Sequence, residues 1–121
     1  MIPDAPRVQV VARRWKYAAP PWRVYDALAE ERDRWLEPGD GEQTPGIAEV
    51  VVNERVVFGP WVDYDIGHVE VLIAEDTGRY GARLDVIAYA DHGLSPDRRR
   101  QVRHRLGTVF GKALRDWVDG L

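Results

Sequence analysis

Three side chains that could transfer protons lie close together in the segment WVDYDIGH, residues 61–68. Asp63, Asp65 and His68 stand within six positions of one another. A carboxylate and an imidazole could share general acid–base work if both lined a cavity. In a strand, however, the alternation of side chains sends His68 away from the apolar face. The segment leaves open proton-transfer catalysis, with Asp63, Tyr64 or His68 at the mouth of a cavity.

No recognised catalytic or metal-binding motif accompanies this segment. The sequence has no serine-centred nucleophile elbow, no phosphate-binding loop and no zinc signature. His68, His92 and His104 are far apart and lack the spacing of metal ligands. We therefore predict no metal site and no cofactor, and the sequence gives no positive evidence for catalysis.

The composition is that of one globular domain of 121 residues, 1–121. There is no cysteine, which excludes disulfides and thiolate metal sites. The net charge of −3 argues against general nucleic-acid binding, and the longest apolar runs are far too short to span a membrane. Because the start, MIPDAPRVQV, lacks a basic segment followed by an apolar run, we expect no signal peptide and a cytoplasmic protein.

Basic residues are concentrated at the end of the chain. From Ser95 onward there are seven Arg or Lys against three Asp or Glu, whereas the first 94 residues carry ten against seventeen. Opposite charge favours a last helix that docks onto its own domain over one that binds nucleic acid. We predict that DRRRQVRHR, residues 97–105, is a solvated face paired with acids such as Glu30 and Glu31, with an anion site as the alternative.

The first third of the chain predicts a strand followed at once by two short helices. Residues 8–18 are rich in valine and aromatic side chains, as strands are. Pro20 and Pro21 end this strand and suit the first turn of a helix, where a missing N–H has no intrahelical partner. Residues 30–36 are predicted to form a second short helix. The polar, Gly- and Pro-rich residues 37–46 are predicted to form a loop.

Three further strand regions are predicted, over residues 47–58, 64–74 and 79–90. The first has two halves around a turn at Asn53 and Glu54. The other two flank EDTG, which is a good hairpin loop.

The register of this hairpin decides which side chains share a face. We predict that Ala74 pairs with Arg79, which leaves EDTG as the loop. One face is then apolar and contains Val69, Val71, Ile73, Ala82, Leu84 and Val86. The opposite face carries two complementary pairs, Glu70 with Arg83 and His68 with Asp85.

A long amphipathic helix is predicted over residues 96–119. Ser95 can cap its start, Pro96 suits its first position, and Gly120 fits its end. Its apolar stripe at helical spacing consists of Val102, Leu106, Val109, Phe110, Ala113, Leu114, Trp117 and Val118. At about 36 Å, the helix is long enough to lie across a whole sheet, and Trp117 would pack its far end.

This order of elements resembles the START/Bet v 1-like superfamily, also called SRPBCC or polyketide cyclase-like proteins. The resemblance is carried by AAPPWRVYDALAEERDRWL, RVVFGPW, DTGRYGARLDV and RHRLGTVFGKALRDWVDG. It implies an α+β helix-grip fold: a curved antiparallel sheet around a long C-terminal helix, with two short helices after the first strand. It also implies a cavity between sheet and helix, in which members bind lipids, sterols, polyketides or other apolar ligands.

The function we predict is the binding of a small apolar or amphipathic molecule, lipid- or polyketide-like, in that cavity. The side chains that we assign to ligand binding are Trp15, Phe58, Trp61, Tyr64, Tyr89, Leu106 and Phe110. The resemblance also implies an enzyme of the cyclase or hydrolase kind as an alternative, with Asp63, Tyr64 or His68 at the mouth of the cavity. A second alternative is a protein-interaction or regulatory module whose cavity is filled and whose outer sheet face meets a partner. The protein partner that we consider is a second copy of the chain, in a homodimer formed through the sheet.

Overall fold

The computed structural model describes residues 8–37, 41–78 and 81–120. In chain order the elements are β1 (Val8–Tyr17), α1 (Pro21–Ala29), α2 (Arg32–Trp35), β2 (Ile47–Val51), β3 (Arg55–Phe58), a 3₁₀ turn (Val62–Tyr64), β4 (His68–Glu75), β5 (Ala82–Ala90), α3 (Pro96–Leu106), a π-helical segment (Gly107–Ala113) and α4 (Leu114–Asp119). The last three are continuous, and together they are called the C-terminal helix.

The five strands form one antiparallel sheet in the order β1-β5-β4-β3-β2. Alternate residues of β5 are buried, as expected for a sheet with one covered face. The C-terminal helix packs on this covered face, which is called the inner face, and the opposite side is the outer face. The predicted α+β helix-grip architecture, with two short helices after the first strand, is confirmed.

The predicted strand boundaries hold to within one residue except at the start of β4 and at the start of β5, which begins at Ala82. Asn53 lies in the turn between β2 and β3 with a φ of 62°, in the left-handed region that Asn tolerates. The strand predicted from residue 64 instead begins at His68. The chain turns back before it, because Trp61 and Ile66 pair as an antiparallel bridge. The predicted strand start at residues 79 and 80 lies outside the described residues.

The predicted register of the β4–β5 hairpin is wrong by four residues. Ala74 pairs with Arg83 rather than with Arg79. The backbone N–H of Asp76 donates to the carbonyl of Gly81 at 3.0 Å, so the connection is longer than the predicted loop. Side chains alternate with a period of two, and a shift of four therefore leaves every residue on its predicted face.

The charge pairs of the outer face consequently differ from those predicted. Glu70 lies across from Ile87 and binds the guanidinium of Arg55 on β3 at 2.8 Å. Asp85 binds Arg14 of β1 at 2.7 Å. The sequence places acids and bases on this face, but neighbouring strands that are distant in sequence decide which of them meet.

The contact between the C-terminal helix and the sheet is centred on Phe110, which is 2% exposed. Its ring lies 6.0 Å from that of Trp15 on β1 and 6.5 Å from that of Phe58 on β3, between centroids. In the π-helical segment, the N–H of Leu114 donates to the carbonyl of Val109, five residues earlier. The hydroxyl of Tyr17 donates to the carbonyl of Phe110 at 2.7 Å, so the sheet is also bonded to the helix backbone.

The junction between β1 and α1 is held by the end of the C-terminal helix. Pro20 gives α1 no side-chain cap. The carboxylate of Asp119 accepts hydrogen bonds from the backbone N–H groups of Ala18 and Ala19, both at 2.9 Å. At the other end of the helix, the predicted cap is confirmed because Ser95 Oγ accepts from the N–H of Arg98 at 3.1 Å.

Gly111 lets the helix approach the sheet closely. A Cβ atom at this position would lie 2.7 Å from Nε1 of Trp15. The Trp15 indole cannot move away freely, because it packs against the ring of Phe110 and against the guanidinium of Arg13. The guanidinium carbon lies 4.8 Å from the centroid of the indole.

We predict that Gly111→Ala lowers the free energy of unfolding by about 1–3 kcal/mol, since overpacking a rigid contact outweighs the better helix propensity of alanine. Urea unfolding measures the change. The control is Gly93→Ala, where a Cβ atom would meet no neighbour within 4 Å. A stabilised Gly111→Ala would contradict the close contact between helix and sheet.

Candidate functional site

Most of the residues assigned to ligand binding lie in the core beneath the C-terminal helix. Those less than one-tenth exposed are Trp15, Phe58, Trp61, Leu106 and Phe110. Tyr64 is partly buried and packs edge-on against Trp61, with ring centroids 5.5 Å apart. These aromatic side chains therefore pack together and against the other core side chains.

Tyr89 lies on the outer face, away from this cluster. It alternates with the buried residues Ala88 and Ala90 of β5 and stacks on His68 with ring centroids 4.6 Å apart. Its assignment to the lining of an inner cavity is therefore wrong. Burial among these neighbours lowers the pKa of His68. The carboxylate of Asp63 instead accepts from the N–H of Gln43 at 2.9 Å, so this acid and His68 have different neighbours.

The space that the prediction reserved for a ligand is filled by side chains. One void beside Phe58, Trp61 and Phe110 measures about 10 Å³. A second, beside Tyr64 and Leu106, has no volume open to a water molecule. A buried water needs at least about 10–15 Å³, and neither void can hold a lipid or a polyketide.

An open cleft of about 460 Å³ lies between α2 and the C-terminal helix. Its apolar lining consists of Trp35, Leu36, Val109, Ala113 and Trp117, and its polar lining of Arg34, Glu37, Arg105, Thr108, Lys112 and Asp116. The side chains of Trp35, Leu36 and Val109 also border the 10 Å³ void. The cleft therefore reaches the core through one layer of side chains.

Arg105 lies where the cleft meets the core, and its side chain is only 18% exposed. Its Nη2 atom donates to the carbonyl of Glu37 at 2.8 Å and to Oε1 of Glu42 at 2.7 Å. Its Nη1 atom donates to Oγ1 of Thr108 at 3.2 Å. The guanidinium carbon also lies 5.6 Å from the ring centroid of Trp61, within the range of a cation–π interaction.

Glu42 is the acid that balances this buried cation. Its side chain is 6% exposed, and its second oxygen accepts from the hydroxyl of Tyr64 at 3.1 Å. Burial and the neighbouring Glu42 carboxylate raise the pKa of Tyr64, which favours the protonated hydroxyl that donates to Glu42. Arg105, Glu42, Tyr64 and Trp61 are together called the Arg105 cluster.

Two buried donors of the Arg105 cluster have no acceptor among the described residues. They are Nε1 of Trp61 and Nε of Arg105. Buried N–H groups in folded proteins almost always have a partner, because leaving one unpaired costs about 1–3 kcal/mol. The cluster thus has more donors than the Glu42 carboxylate uses.

The sequence prediction missed the roles of Arg105 and Glu42. It placed Arg105 on a solvated face paired with Glu30 or Glu31, whereas Glu31 binds Arg23 at 2.7 Å. The sequence did contain a signal. Arg105 stands three residues after Val102 and four before Val109, which puts it on the edge of the buried stripe.

The remaining basic residues of α3 behave more nearly as predicted. Arg98 binds Asp65 at 3.3 Å and Arg100 binds Asp97, all four on the surface. No helix among residues 8–37, 41–78 and 81–120 is long and apolar enough to cross a membrane. The described part of the chain also contains no group of three His, Asp or Glu placed to hold a metal ion.

Comparisons with known proteins find the fold but no sequence family. No protein-family profile matches the chain, and no curated protein matches it. The Aha1 dimer from Colwellia psychrerythraea is 12% identical, with a TM-score of 0.67 over 93% of this chain and 97% of that chain. DynU16, a putative protein in the dynemicin biosynthetic locus, is 17% identical, with a TM-score of 0.70 over 95% of this chain and 49% of that chain. Ara h 8.0201 is 13% identical, with a TM-score of 0.57 over 89% of this chain and 95% of that chain.

The chain has the START/Bet v 1-like fold. This confirms the resemblance inferred from the sequence, at identities that define the fold alone. Within the START/Bet v 1-like fold, the Arg105 cluster occupies the interior side of the C-terminal helix, and the cleft with α2 leads to it.

The Arg105–Glu42 pair should couple more strongly than an ion pair of the outer face. We expect a double-mutant cycle with Arg105→Gln and Glu42→Gln to give about 1.5–3 kcal/mol, as for buried charged hydrogen bonds. The same cycle on Arg55 and Glu49, whose side chains are 32% and 54% exposed, should give about 0.2–1 kcal/mol. Urea unfolding of the variants measures both, and equal couplings would show that the Arg105 pair is effectively solvated.

Proposed function

We propose that this protein binds a small amphipathic molecule in the cleft between α2 and the C-terminal helix, with the polar end of the ligand at Arg105. The observation that carries the proposal is the position of Arg105, a largely buried cation at the inner end of an open, partly apolar cleft. The proposal keeps the predicted ligand class and moves the site from the filled interior to this cleft.

The cleft has the dimensions and the chemistry of a small-molecule site. Its volume of about 460 Å³ lies within the usual range of about 300–1,000 Å³ for ligand pockets. Trp35, Leu36 and Val109 provide an apolar floor for a hydrocarbon or ring system. Arg34 and Lys112 add positive charge along the sides, opposed by Glu37 and Asp116.

The cyclase or hydrolase alternative finds less support in this arrangement. Its candidate base, His68, stacks on Tyr89 on the outer face, whereas the cleft lies beside the C-terminal helix. A general base must come within hydrogen-bond reach of the proton that it removes. Binding therefore remains the function that the geometry supports best.

Decanoate and 1-decanol should both quench or shift the fluorescence of Trp35 and Trp117, which line the cleft. Ala113→Phe narrows the cleft and should weaken both probes at least about tenfold, a change of about 1.4 kcal/mol. Ala12→Phe, at an exposed alanine of β1 on the outer face, is the control and should leave affinity unchanged. The absence of saturable binding to the unmodified protein, by fluorescence and by calorimetry, would refute the proposal.

We also propose that two copies of the chain associate through β2, the strand at one edge of the sheet that the described residues form. This gives the interaction-module alternative a specific surface. Every residue of β2 is exposed. Its large apolar side chains Ile47, Val50 and Val51 are 39%, 43% and 40% exposed, and Val52 in the following turn is 67% exposed. An exposed apolar edge strand is a ready template for pairing with another strand.

A second copy is the partner that this edge fits. Antiparallel pairing of β2 with itself gives a closed twofold interface. A register centred on Val50 sets Glu49 opposite Val51 of the partner subunit, so that like charges do not face each other. Glu49 is already bound to Arg55 at 2.8 Å. The Aha1 protein with the same fold is itself described as a dimer.

Val50→Lys should convert a dimer into a monomer, because lysine on an edge strand opposes pairing. The matched control is Val8→Lys on β1, the other edge strand, where the valine is 39% exposed. Sedimentation velocity over a range of protein concentrations measures whether each variant is a monomer or a dimer. A monomeric unmodified protein, or dissociation by Val8→Lys alone, would rule out association through β2.

A further inference from the structure

We infer that the Arg105 cluster is a carboxylate-binding site which Glu42 fills in the free protein, and that the ligand of the cleft is an amphipathic acid whose carboxylate replaces that of Glu42. This inference rests on the proposed function and adds the chemistry of the ligand's polar end. In this inference, the Glu42 carboxylate competes with the ligand carboxylate for Arg105.

The donors around Glu42 form a set suited to a carboxylate. One oxygen accepts from Nη2 of Arg105 at 2.7 Å, and the other accepts from the hydroxyl of Tyr64 at 3.1 Å. A carboxylate has about four lone-pair positions on its two oxygens. The two interactions of Glu42 therefore leave acceptor capacity unused at a place where further donors are available.

Those further donors are Nε1 of Trp61 and Nε of Arg105, which are buried and have no acceptor in the described part of the chain. Trp61 is 3% exposed, so its N–H cannot turn to solvent. Both side chains border the void without water-accessible volume, whose other walls are formed by Tyr64, Ile66, Val69, Val102 and Leu106. A ligand carboxylate in the place of Glu42 would turn its unused lone pairs toward these two donors.

The donors lie in helical elements, whereas Glu42, the acid that they bind, lies in an irregular segment. Arg105 stands on α3, and Tyr64 ends the 3₁₀ turn. Glu42 is carried by residues 41–46, which contain no helix or strand. Exchange of Glu42 for another carboxylate leaves the guanidinium paired, and it therefore avoids the large cost of an isolated buried charge.

The cleft also provides a place for the apolar part of such a ligand. Arg105, which binds Glu42, also lines the cleft, together with Thr108, to which it donates. A carboxylate at Arg105 would leave its apolar tail over Val109 and Leu36. The ligand class that fits both parts is a single-chain or ring-containing acid, such as a medium-chain fatty acid.

Removal of the Glu42 charge should make the site selective for acids. We expect Glu42→Gln to raise the affinity for decanoate at least about tenfold and to change the affinity for 1-decanol by less than about twofold, as measured by calorimetry. Glu49→Gln removes another arginine-bound glutamate, on the outer face, and should change neither affinity. Adding Arg105→Gln to Glu42→Gln should abolish the gain for decanoate.

The outcomes separate this inference from the proposed function. Binding of both probes with no effect of Glu42→Gln on either would overturn the carboxylate site and leave the cleft intact. Failure of both probes to bind any variant would overturn both. If Glu42→Gln weakens the fold, decanoate at a given concentration should raise its urea midpoint more than 1-decanol does, because the tighter ligand stabilises the folded state more. Equal restoration by the two probes would also count against the inference.

Discussion

The close packing of the C-terminal helix against the sheet at Gly111 is the constraint on which the other features depend. Without a side chain at this position, the helix comes within contact distance of the Trp15 indole, and Phe110 fits between Trp15 and Phe58. The space between helix and sheet is then filled by aromatic rings. The voids left in this interior are too small for a ligand, whereas an open cleft lies beside the helix, between it and α2.

Electrostatics on the C-terminal helix follow from the same geometry. Arg98 and Arg105 meet acids from the body of the domain, whereas Arg100 and Lys112 pair with acids of the helix itself. Arg98 meets its acid on the surface, where an ion pair contributes little. Arg105 is turned toward the core, where the low dielectric makes its partner far more important. One arginine of a basic stretch thus acquires a different role through its position at the edge of the apolar stripe.

The edge strand β2 is the most exposed strand of the sheet. β3 is well buried, but β2 beyond it is exposed along its whole length. The apolar residues of β2 would be covered if a further element followed on either face. An edge of this composition favours association with another strand, and this gives the molecule a surface that is independent of the cleft.

The sequence by itself determined the elements, their order, the faces of the strands and the helix-grip fold, because these depend on local periodicity and on turn residues such as Pro20 and Ser95. It did not determine the β4–β5 register, which depends on pairing across the whole sheet, nor the filled interior, which depends on how closely the helix approaches. The candidate site was predictable only in part. Trp61 and Tyr64 were among the side chains assigned to ligand binding from the sequence, but Glu42 reaches Arg105 across 63 positions of the chain. Such a contact leaves no local pattern, and only the tertiary structure brings its two partners together.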